Sequence, residues 1–182
     1  MLVQLRRSVI VAISFAVLLG LAYPLAITGI AQVGFPAQAN GSIGVNGSAL
    51  IGQAWSGPDW FHGRPDAYDP MASGPTNLGP RSAVLERHVG ARLAAWHRLG
   101  VQPTEQLVTS SGSGLDPDIS PASALAQVPM VARARHLSPG RLRNLVTSEV
   151  HGRQLGFLGA PYVNVLALNE ALARLARGGS AS

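Results

Sequence analysis

VIVAISFAVLLGLAYPLAITGI, from Val9 to Ile30, is the stretch that decides how this chain is organised, and it lies in an uncharged run from Ser8 to Phe35. A helix of roughly 22 residues is about 33 Å long, enough to cross a bilayer hydrocarbon core of about 30 Å. Val, Ile, Leu and Phe dominate the stretch, and no ionisable group opposes insertion. Pro24 and the glycines are tolerated in membrane helices. We therefore predict one membrane-spanning helix at residues 9–30.

A cleaved signal peptide is the alternative that the sequence leaves open. Arg6 and Arg7 would form its basic segment, and Ala37-Gln38-Ala39 has the A-x-A form of a cleavage site. The apolar core of a signal peptide is usually about 7–15 residues long, and this one is longer. The length therefore favours a retained anchor.

The distribution of arginine predicts the orientation of the helix. Arg6 and Arg7 precede it, and the next arginine along the chain is Arg64. The positive-inside rule then places residues 1–8 in the cytoplasm and the rest of the chain on the other side of the membrane. Residues 31–177 are predicted to form an extracytoplasmic domain, and residues 178–182 a disordered tail.

The composition of the part after the helix excludes several functions. Of the 14 basic residues, all arginine, 12 follow the helix, against 9 acidic residues. These arginines are scattered, whereas nucleic-acid binding usually needs a clustered basic face. The absence of cysteine excludes disulfides, thiolate metal sites and cysteine nucleophiles.

The predicted elements after the helix indicate a mixed α/β (α+β) domain. Prolines, glycines and aromatic residues at 53–80 indicate a structured loop held by aromatic side chains. Strands are predicted at 49–53, 106–111 and 162–166, and helices at 82–99, 120–136, 138–150 and 168–176. Pro129 lies inside the second of these helices, and we expect a kink or break near Gln127.

Loop residues offer two possible catalytic arrangements. Ser113 lies between two glycines, but the spacing differs from the G-x-S-x-G nucleophile elbow, and a triad with His62 and Asp116 has no further support. Five loop residues could ligate a metal, although no metal-binding motif is present: His62, Asp66, Asp69, Asp116 and Asp118. For Asp116 and Asp118, bonding to local backbone amides and a place near the start of the next helix are the simpler interpretation. A membrane-anchored extracytoplasmic hydrolase or metal-dependent enzyme using His62 and Asp116/Asp118 is therefore the alternative function.

Two further loop segments could bind a ligand or a partner. The segment SGPTNLGP, residues 73–80, leads into a predicted helix, which is an arrangement that can hold an anion. It lacks the G-K-[ST] ending of a P-loop, and the chain contains no lysine. Arg64, in the segment HGRP, either faces an acidic partner or bonds to loop carbonyls.

Taken together, these segments resemble the KdpC family, the C subunit of the bacterial Kdp potassium-transporting P-type ATPase. The matching segments follow the family's order behind an N-terminal membrane helix and cover nearly the whole chain. They are GSALIGQ (47–53), WFHGRP (60–65), SGPTNLGP (73–80), VTSSGSGLDPDISP (108–121), QVP (127–129) and GAPYVNVLALN (159–169).

The resemblance implies a non-catalytic accessory subunit in the bacterial plasma membrane. Its partners would be a potassium-channel-like subunit, a P-type ATPase subunit that hydrolyses ATP, and a small accessory membrane subunit. Potassium would be the transported ion, and no tightly bound cofactor is expected. The resemblance also implies a nucleotide-binding role that raises the ATP affinity of the ATPase subunit. The residues concerned would be Ser73, Gly74, Thr76, Asn77 and Gly79.

Two observations oppose direct nucleotide binding. Pro75 departs from the family pattern and removes an N–H donor where a phosphate cradle needs one. The predicted topology also places the loop on the side opposite cytoplasmic ATP. We therefore expect the loops to pack on the external face of the channel-like subunit. The candidate contact residues are His62, Arg64, Ser113 and Asp116.

Overall fold

The structure, a computed structural model, describes residues 1–178 and divides the chain into two compact units, Met1–Val45 and Asn46–Ser182. The first unit is mainly one continuous helix, Leu2–Gly34, long and apolar enough to cross a membrane. It consists of α1 (Leu2–Val17), a π-helical turn (Leu18–Ala22) and α2 (Tyr23–Gly34). The predicted apolar helix is confirmed and extends beyond residues 9–30.

The π-helical turn lies immediately before Pro24. Proline has no N–H, and its ring crowds the carbonyl one turn earlier in an α-helix. A single wider turn accommodates both effects, so the helix continues through the proline. After α2 the first unit contains only two short elements, α3 (Pro36–Ala39) and β1 (Ile43–Gly44).

The second unit contains both helices and short strands, as predicted for a mixed α/β domain. Its elements are β2 (Gly47–Ser48), α4 (Ala83–Arg98), a 3-10 turn (Glu105–Leu107), β3 (Asp118–Ile119), α5 (Pro121–Arg135), α6 (Pro139–Ser148), β4 (Val150–His151), β5 (Tyr162–Asn164) and α7 (Val165–Gly178). Strand β5 is central in an antiparallel sheet of order β3-β5-β4. Residues 179–182 of the predicted tail lie outside the described residues.

Serine side chains begin three of these helices. The hydroxyl oxygens of Ser82, Ser120 and Ser138 accept hydrogen bonds from backbone N–H groups three residues later, at 3.4, 3.2 and 3.3 Å. A proline follows both Ser120 and Ser138 in the first helical turn, where its missing N–H costs no hydrogen bond. The predicted helix starts are therefore confirmed.

Two predicted strands are wrong because local hydrogen bonds hold the backbone in other conformations. Within residues 106–111 the chain begins in a 3-10 turn, with the Leu107 N–H donating to the Thr104 carbonyl at 3.1 Å. Within residues 49–53 the Gly52 N–H donates to Leu115 O, and Ala49 O accepts a side-chain hydrogen bond from Asn164. A local turn, a loop carbonyl and a side-chain amide thus supply these partners, rather than the backbone of a neighbouring strand.

Of the kink or break predicted near Gln127 in the second helix of the domain, the break is wrong. Helix α5 runs from Pro121 to Arg135 with Pro129 in its interior. Val128 and Val131, on either side of the proline, are both completely buried. Apolar burial of this kind contributes roughly 1.5–3 kcal/mol per large side chain, which offsets the roughly 3 kcal/mol cost of an interior proline.

The core of the second unit is formed by α5, α6, α7 and the three-stranded sheet, and it also buries Phe61 from the long loop. Trp55 and Trp60 pack against this core with their ring centroids 4.9 Å apart. The prediction of a structured loop with aromatic anchors is therefore confirmed. The largest fully buried core side chains include Phe61, Ile119, Val128, Val131, Leu142, Val146, Val163, Leu168 and Leu172.

Candidate functional site

Two buried side-chain amides hold the backbone at the start of the candidate site. The Phe61 N–H donates to Asn169 Oδ1 at 2.9 Å, and Asn169 Nδ2 donates back to the Phe61 carbonyl at 2.9 Å. Gln127 makes the equivalent pair with the His62 N–H and carbonyl, at 2.8 and 3.0 Å. Both amide side chains are fully buried. Helices α5 and α7 therefore fix the position of His62 and the residues that follow it.

Residues 64–68 and 109–116, here called the loop clamp, are joined by side-chain hydrogen bonds. Arg64 lies between the two segments and donates to the carbonyls of Thr109 and Ser110 at 3.3 and 3.0 Å. Its guanidinium also lies 3.6 Å from the Asp116 carboxylate. Arg64 thus binds loop carbonyls and an acidic residue of its own chain.

Asp66 is the second cross-link of the loop clamp. Its Oδ1 accepts a hydrogen bond from the Ser111 N–H at 2.7 Å, and its Oδ2 accepts from the Ser111 hydroxyl and the Asp116 N–H. Hydrogen bonds to a charged group are stronger than neutral ones, so this carboxylate stabilises the turn at 111–116. From the sequence, Asp66 is predicted only as a possible metal ligand and not as a link between the two loop segments.

Tyr68 closes the loop clamp. Its hydroxyl donates to the Arg64 carbonyl at 2.5 Å, and its N–H donates to the Gly114 carbonyl at 3.2 Å. A Cβ at Gly52 would lie 2.5 Å from the Tyr68 ring and 2.6 Å from the Asp116 carbonyl oxygen, so only glycine fits there, and a Cβ at Gly63 would displace the Tyr68 hydroxyl. Burial, followed by the charges of Asp66 and Asp116, raises the pKa of Tyr68 well above its ordinary value. Tyr68 therefore stays a neutral hydrogen-bond donor.

A cavity of about 280 Å³ lies beside the loop clamp, with His62, Arg64, Tyr68 and Arg92 in its wall. Arg92 donates to the carbonyls of Val108 and Pro65 at 3.0 and 3.2 Å. Its burial lowers the pKa of this guanidinium. The two arginines of the wall are thus engaged by the protein, which favours a structural role for them.

The loop Ser73–Gly79 differs from the clamp because nearly all of its residues are exposed. The Ser73 hydroxyl and the Gly74 N–H both donate to the Ser113 carbonyl, at 3.0 and 2.8 Å. Gly74 therefore offers no free N–H to a phosphate, and Pro75 has none. The loop clamp positions this loop through Ser113, while Thr76, Asn77 and Gly79 face solvent.

The residues predicted for a catalytic triad or a metal site have separate partners. The His62 Nε2 lies 2.8 Å from the Gly57 carbonyl, Asp116 pairs with Arg64, and the Ser113 hydroxyl accepts from the Leu115 N–H at 3.1 Å. Among residues 1–178, no group of three His, Asp or Glu side chains is placed to hold a metal ion.

Asp118 has a structural partner of its own. Its Oδ1 accepts a hydrogen bond from Asn164 Nδ2 at 2.9 Å, and the same amide group donates to the Ala49 carbonyl. Partial burial raises the pKa of Asp118, and the charge of Asp116 adds to this effect. Asn164 therefore ties β5 to both β3 and the loop at Ala49.

These features define a class of protein. A long apolar N-terminal helix precedes a small mixed α/β domain. In the described part of that domain, the charged residues of the loop clamp bond mainly to the backbone and side chains of the facing loop segment. The arrangement is that of a small membrane-associated accessory protein whose loops are built to hold a shape.

The chain belongs to the KdpC family, which confirms the resemblance. The family model described as "KdpC: K+-transporting ATPase, c chain" matches residues 5–174. The potassium-transporting ATPase KdpC subunit of Methylobacterium nodulans is 48% identical, over 97% of this chain and 99% of the relative. The same subunit of Allorhizobium ampelinum is 50% identical, over 94% and 96%. That of Geobacter sulfurreducens is 45% identical, over 93% and 96%. These relatives are named as subunits of an ATPase, not as separate enzymes.

Proposed function

We propose that this chain is the non-catalytic accessory subunit of an ATP-driven potassium-uptake complex in the bacterial plasma membrane. The observation that carries the proposal is the nearly full-length match to subunits named for a potassium-transporting ATPase. Potassium is then the transported ion of the complex. The partners are a channel-like subunit, a P-type ATPase subunit and a small membrane subunit, as the family resemblance implies.

The helix Leu2–Gly34 is proposed to be a retained anchor with its N-terminus in the cytoplasm. Arg6 and Arg7 lie near its start, and the next charged residue along the chain is Asp59. This asymmetry favours an extracytoplasmic position for the domain under the positive-inside rule. The domain then lies opposite the compartment that supplies ATP.

The exposed parts of the domain are proposed to bind the partner subunits. The turn at residues 153–159 carries three apolar side chains, Leu155, Phe157 and Leu158, and the first two are 83% and 68% exposed. Contiguous exposed apolar side chains are typical of an interaction site. Ser73–Gly79 is a second exposed loop, and the loop clamp holds it in place through Ser113.

Any effect on the ATP affinity of the ATPase subunit is proposed to act through assembly of the complex. The Gly74 N–H is already bonded to Ser113 O, and Pro75 has no N–H, so neither of these two positions offers a backbone donor to a phosphate. The hydroxyl of Ser73 is also bonded to Ser113 O. The loop therefore suits contact with a protein better than contact with a nucleotide.

Co-purification from cells that express the whole complex tests the assembly role. Phe157→Asp places a charge on the exposed apolar turn and should lower recovery of the other subunits severalfold. Met71→Asp is the matched control, because Met71 is also an exposed apolar residue but lies outside both proposed contact loops. Equal recovery with both variants would contradict the proposed contact at residues 153–159.

Hydrogen exchange on the purified complex tests the nucleotide role. We expect ATP to leave exchange at residues 73–79 unchanged, because no phosphate binds there. Protection of Thr76 and Asn77 by ATP would instead support direct nucleotide binding by this subunit.

A further inference from the structure

The segment that follows the helix, residues 35–45, is uncharged and exposes apolar side chains. A linker that lies in water needs neither property. Phe35, Ile43 and Val45 are 62%, 75% and 101% exposed. No charged side chain lies between Arg7 and Asp59, so the lack of charge continues well past the end of the helix at Gly34. Both properties are shared with the preceding helix, which belongs to the same compact unit.

The backbone of this segment satisfies many of its own hydrogen bonds. The N–H groups of Phe35, Ala39, Asn40, Gly41 and Ser42 all donate to carbonyls between residues 31 and 38, at 2.8–3.2 Å. Unpaired backbone groups are costly wherever water is scarce. An internally bonded turn can therefore lie against lipid at low cost.

The two amide side chains nearest the turn also satisfy each other. Gln32 Nε2 donates to Asn40 Oδ1 at 3.3 Å, and Asn40 Nδ2 donates to Gln32 Oε1 at 3.1 Å. Asn40 Nδ2 also lies 2.7 Å from the Pro36 carbonyl. In water such an exposed pair adds little, whereas in a region of low water content it removes the cost of desolvating two amides.

We propose that residues 35–45 form an interfacial seat, in which Phe35, Ile43 and Val45 contact lipid at the boundary between acyl chains and headgroups. The seat fixes the depth of the helix, and the Gln32–Asn40 pair closes the turn that forms it. The surface that these side chains contact is the bilayer. The segment directly follows the apolar helix, is uncharged like the helix, and belongs to the same compact unit. The proposal rests on the retained anchor proposed above.

Lipid quenching on the full chain tests the seat. The chain contains no cysteine, so single-cysteine variants can carry a polarity-sensitive fluorophore at one chosen position. The positions are Val45→Cys in the seat, Leu21→Cys in the helix and Met71→Cys as an exposed apolar control in the domain. Each labelled chain is placed in phosphatidylcholine–phosphatidylglycerol nanodiscs that contain a phospholipid with a nitroxide near the headgroup or deep in the acyl chain.

The seat predicts severalfold stronger quenching of the fluorophore at position 45 than at 71 by the shallow nitroxide. The deep nitroxide should quench the fluorophore at position 21, which reports insertion of the helix. If the fluorophore at position 21 is quenched but the one at position 45 is quenched no more than the control at position 71, the interfacial seat is contradicted and the retained anchor is supported. Lack of quenching at both positions overturns the anchor and the seat together.

Substitution of the amide pair tests its part in the seat. Asn40→Leu leaves the Gln32 amide unpaired and should lower the shallow quenching at position 45. The double variant Gln32→Leu/Asn40→Leu removes both amides and should restore that quenching. Equal quenching in the single and double variants would contradict the role of the pair.

Discussion

The loop clamp and the Ser73–Gly79 loop are both rich in glycine, proline and small polar residues, yet they behave differently in the structure. In the clamp, Arg64, Asp66 and Tyr68 are partly buried and bond to the facing segment, Tyr68 through its backbone N–H to the Gly114 carbonyl. In the loop, all residues but Leu78 are exposed; Ser73 and Gly74 bond to the Ser113 carbonyl, and the Gly79 carbonyl accepts from the Ser82 N–H. The clamp therefore maintains a shape, and the loop is presented by it.

This difference shows how a polar residue in a family motif should be interpreted. A side chain whose hydrogen bonds are all made within its own chain stabilises the fold. Its substitution should lower the free energy of unfolding strongly and have no direct effect on binding. Substitution of a side chain that is exposed on a fixed loop should change the free energy of unfolding little and affect binding directly. The predictions below separate these two signatures, beginning with the support of the clamp.

The largest loss of stability is expected for Asn169→Ala. This change leaves the buried N–H and carbonyl of Phe61 without partners, and each such group costs about 1–3 kcal/mol. We expect the free energy of unfolding to fall by about 3 kcal/mol. Urea titration of the full chain in detergent, followed by the fluorescence of Trp55, Trp60 and Trp96, measures this. The matched control is Asn144→Ala on the exposed face of α6, with an expected change within about 0.5 kcal/mol.

Asp66→Asn should have the next largest effect, because it tests the clamp itself. The carboxylate accepts from the Ser111 N–H, the Ser111 hydroxyl and the Asp116 N–H, and an amide can replace only part of this set. A loss of about 2 kcal/mol is expected in the same titration. Asp69→Asn is the control, since the exposed Asp69 accepts one bond, from the Met71 N–H. An equal loss of unfolding free energy in the two variants would contradict the role of Asp66 as a cross-link of the loop clamp.

Gly114→Ala should cause a moderate loss and displace the exposed loop. Gly114 has φ of +69°, and an added Cβ would lie 2.9 Å from the Gly74 carbonyl oxygen. We expect a cost of about 1–2 kcal/mol, together with faster hydrogen exchange at Gly74. Gly112→Ala should change neither, because no atom lies within 4 Å of its added Cβ. Unchanged exchange at Gly74 in Gly114→Ala would contradict positioning of the loop by the clamp.

The smallest expected effect is a pH-dependent gain in Asp118→Asn. Burial raises the pKa of Asp118, so the protonated side chain favours the folded state. Its contribution to the free energy of unfolding is complete below the ordinary aspartate pKa and is lost as the pH rises through the raised pKa. The variant should therefore be slightly more stable than the parent chain at about pH 7 and equal to it near about pH 3. The gain should stay below about 1 kcal/mol, because the group is only partly buried. Thermal unfolding at the two pH values measures it, and a gain at low pH alone would contradict the sign.

Local patterns predicted the helices well because their signals lie within a few residues. Ser82, Ser120 and Ser138 begin helices where the sequence indicated. The apolar spacing of Leu168 and Leu172 identified the buried face of α7, although the helix begins earlier, at Val165. The apolar helix was equally clear, since its length and lack of charge are properties of one continuous stretch.

Long-range partners could not be predicted in this way. Phe61 and Asn169 are 108 positions apart, and Arg64 and Asp116 meet only once the two loops are folded together. For the same reason residues 106–111 were assigned to a strand, although the local turn at Thr104–Leu107 and bonds to Arg64 and Arg92 determine their backbone. The split between saturated and exposed loop residues is therefore visible only in the structure.

Accessibility of the Ser73–Gly79 loop tests the central claim most directly. Thr76→Cys places the only thiol of the chain on this exposed loop, and the other subunits of the complex can be made free of cysteine. The reagent is a maleimide that cannot cross the inner membrane. It is added to cells in which the outer surface of that membrane is accessible and the membrane itself is intact. An extracytoplasmic accessory subunit predicts labelling in these cells, at a rate that falls when the complex is assembled. Labelling only after the inner membrane is permeabilised would place the loop with cytoplasmic ATP and contradict the account.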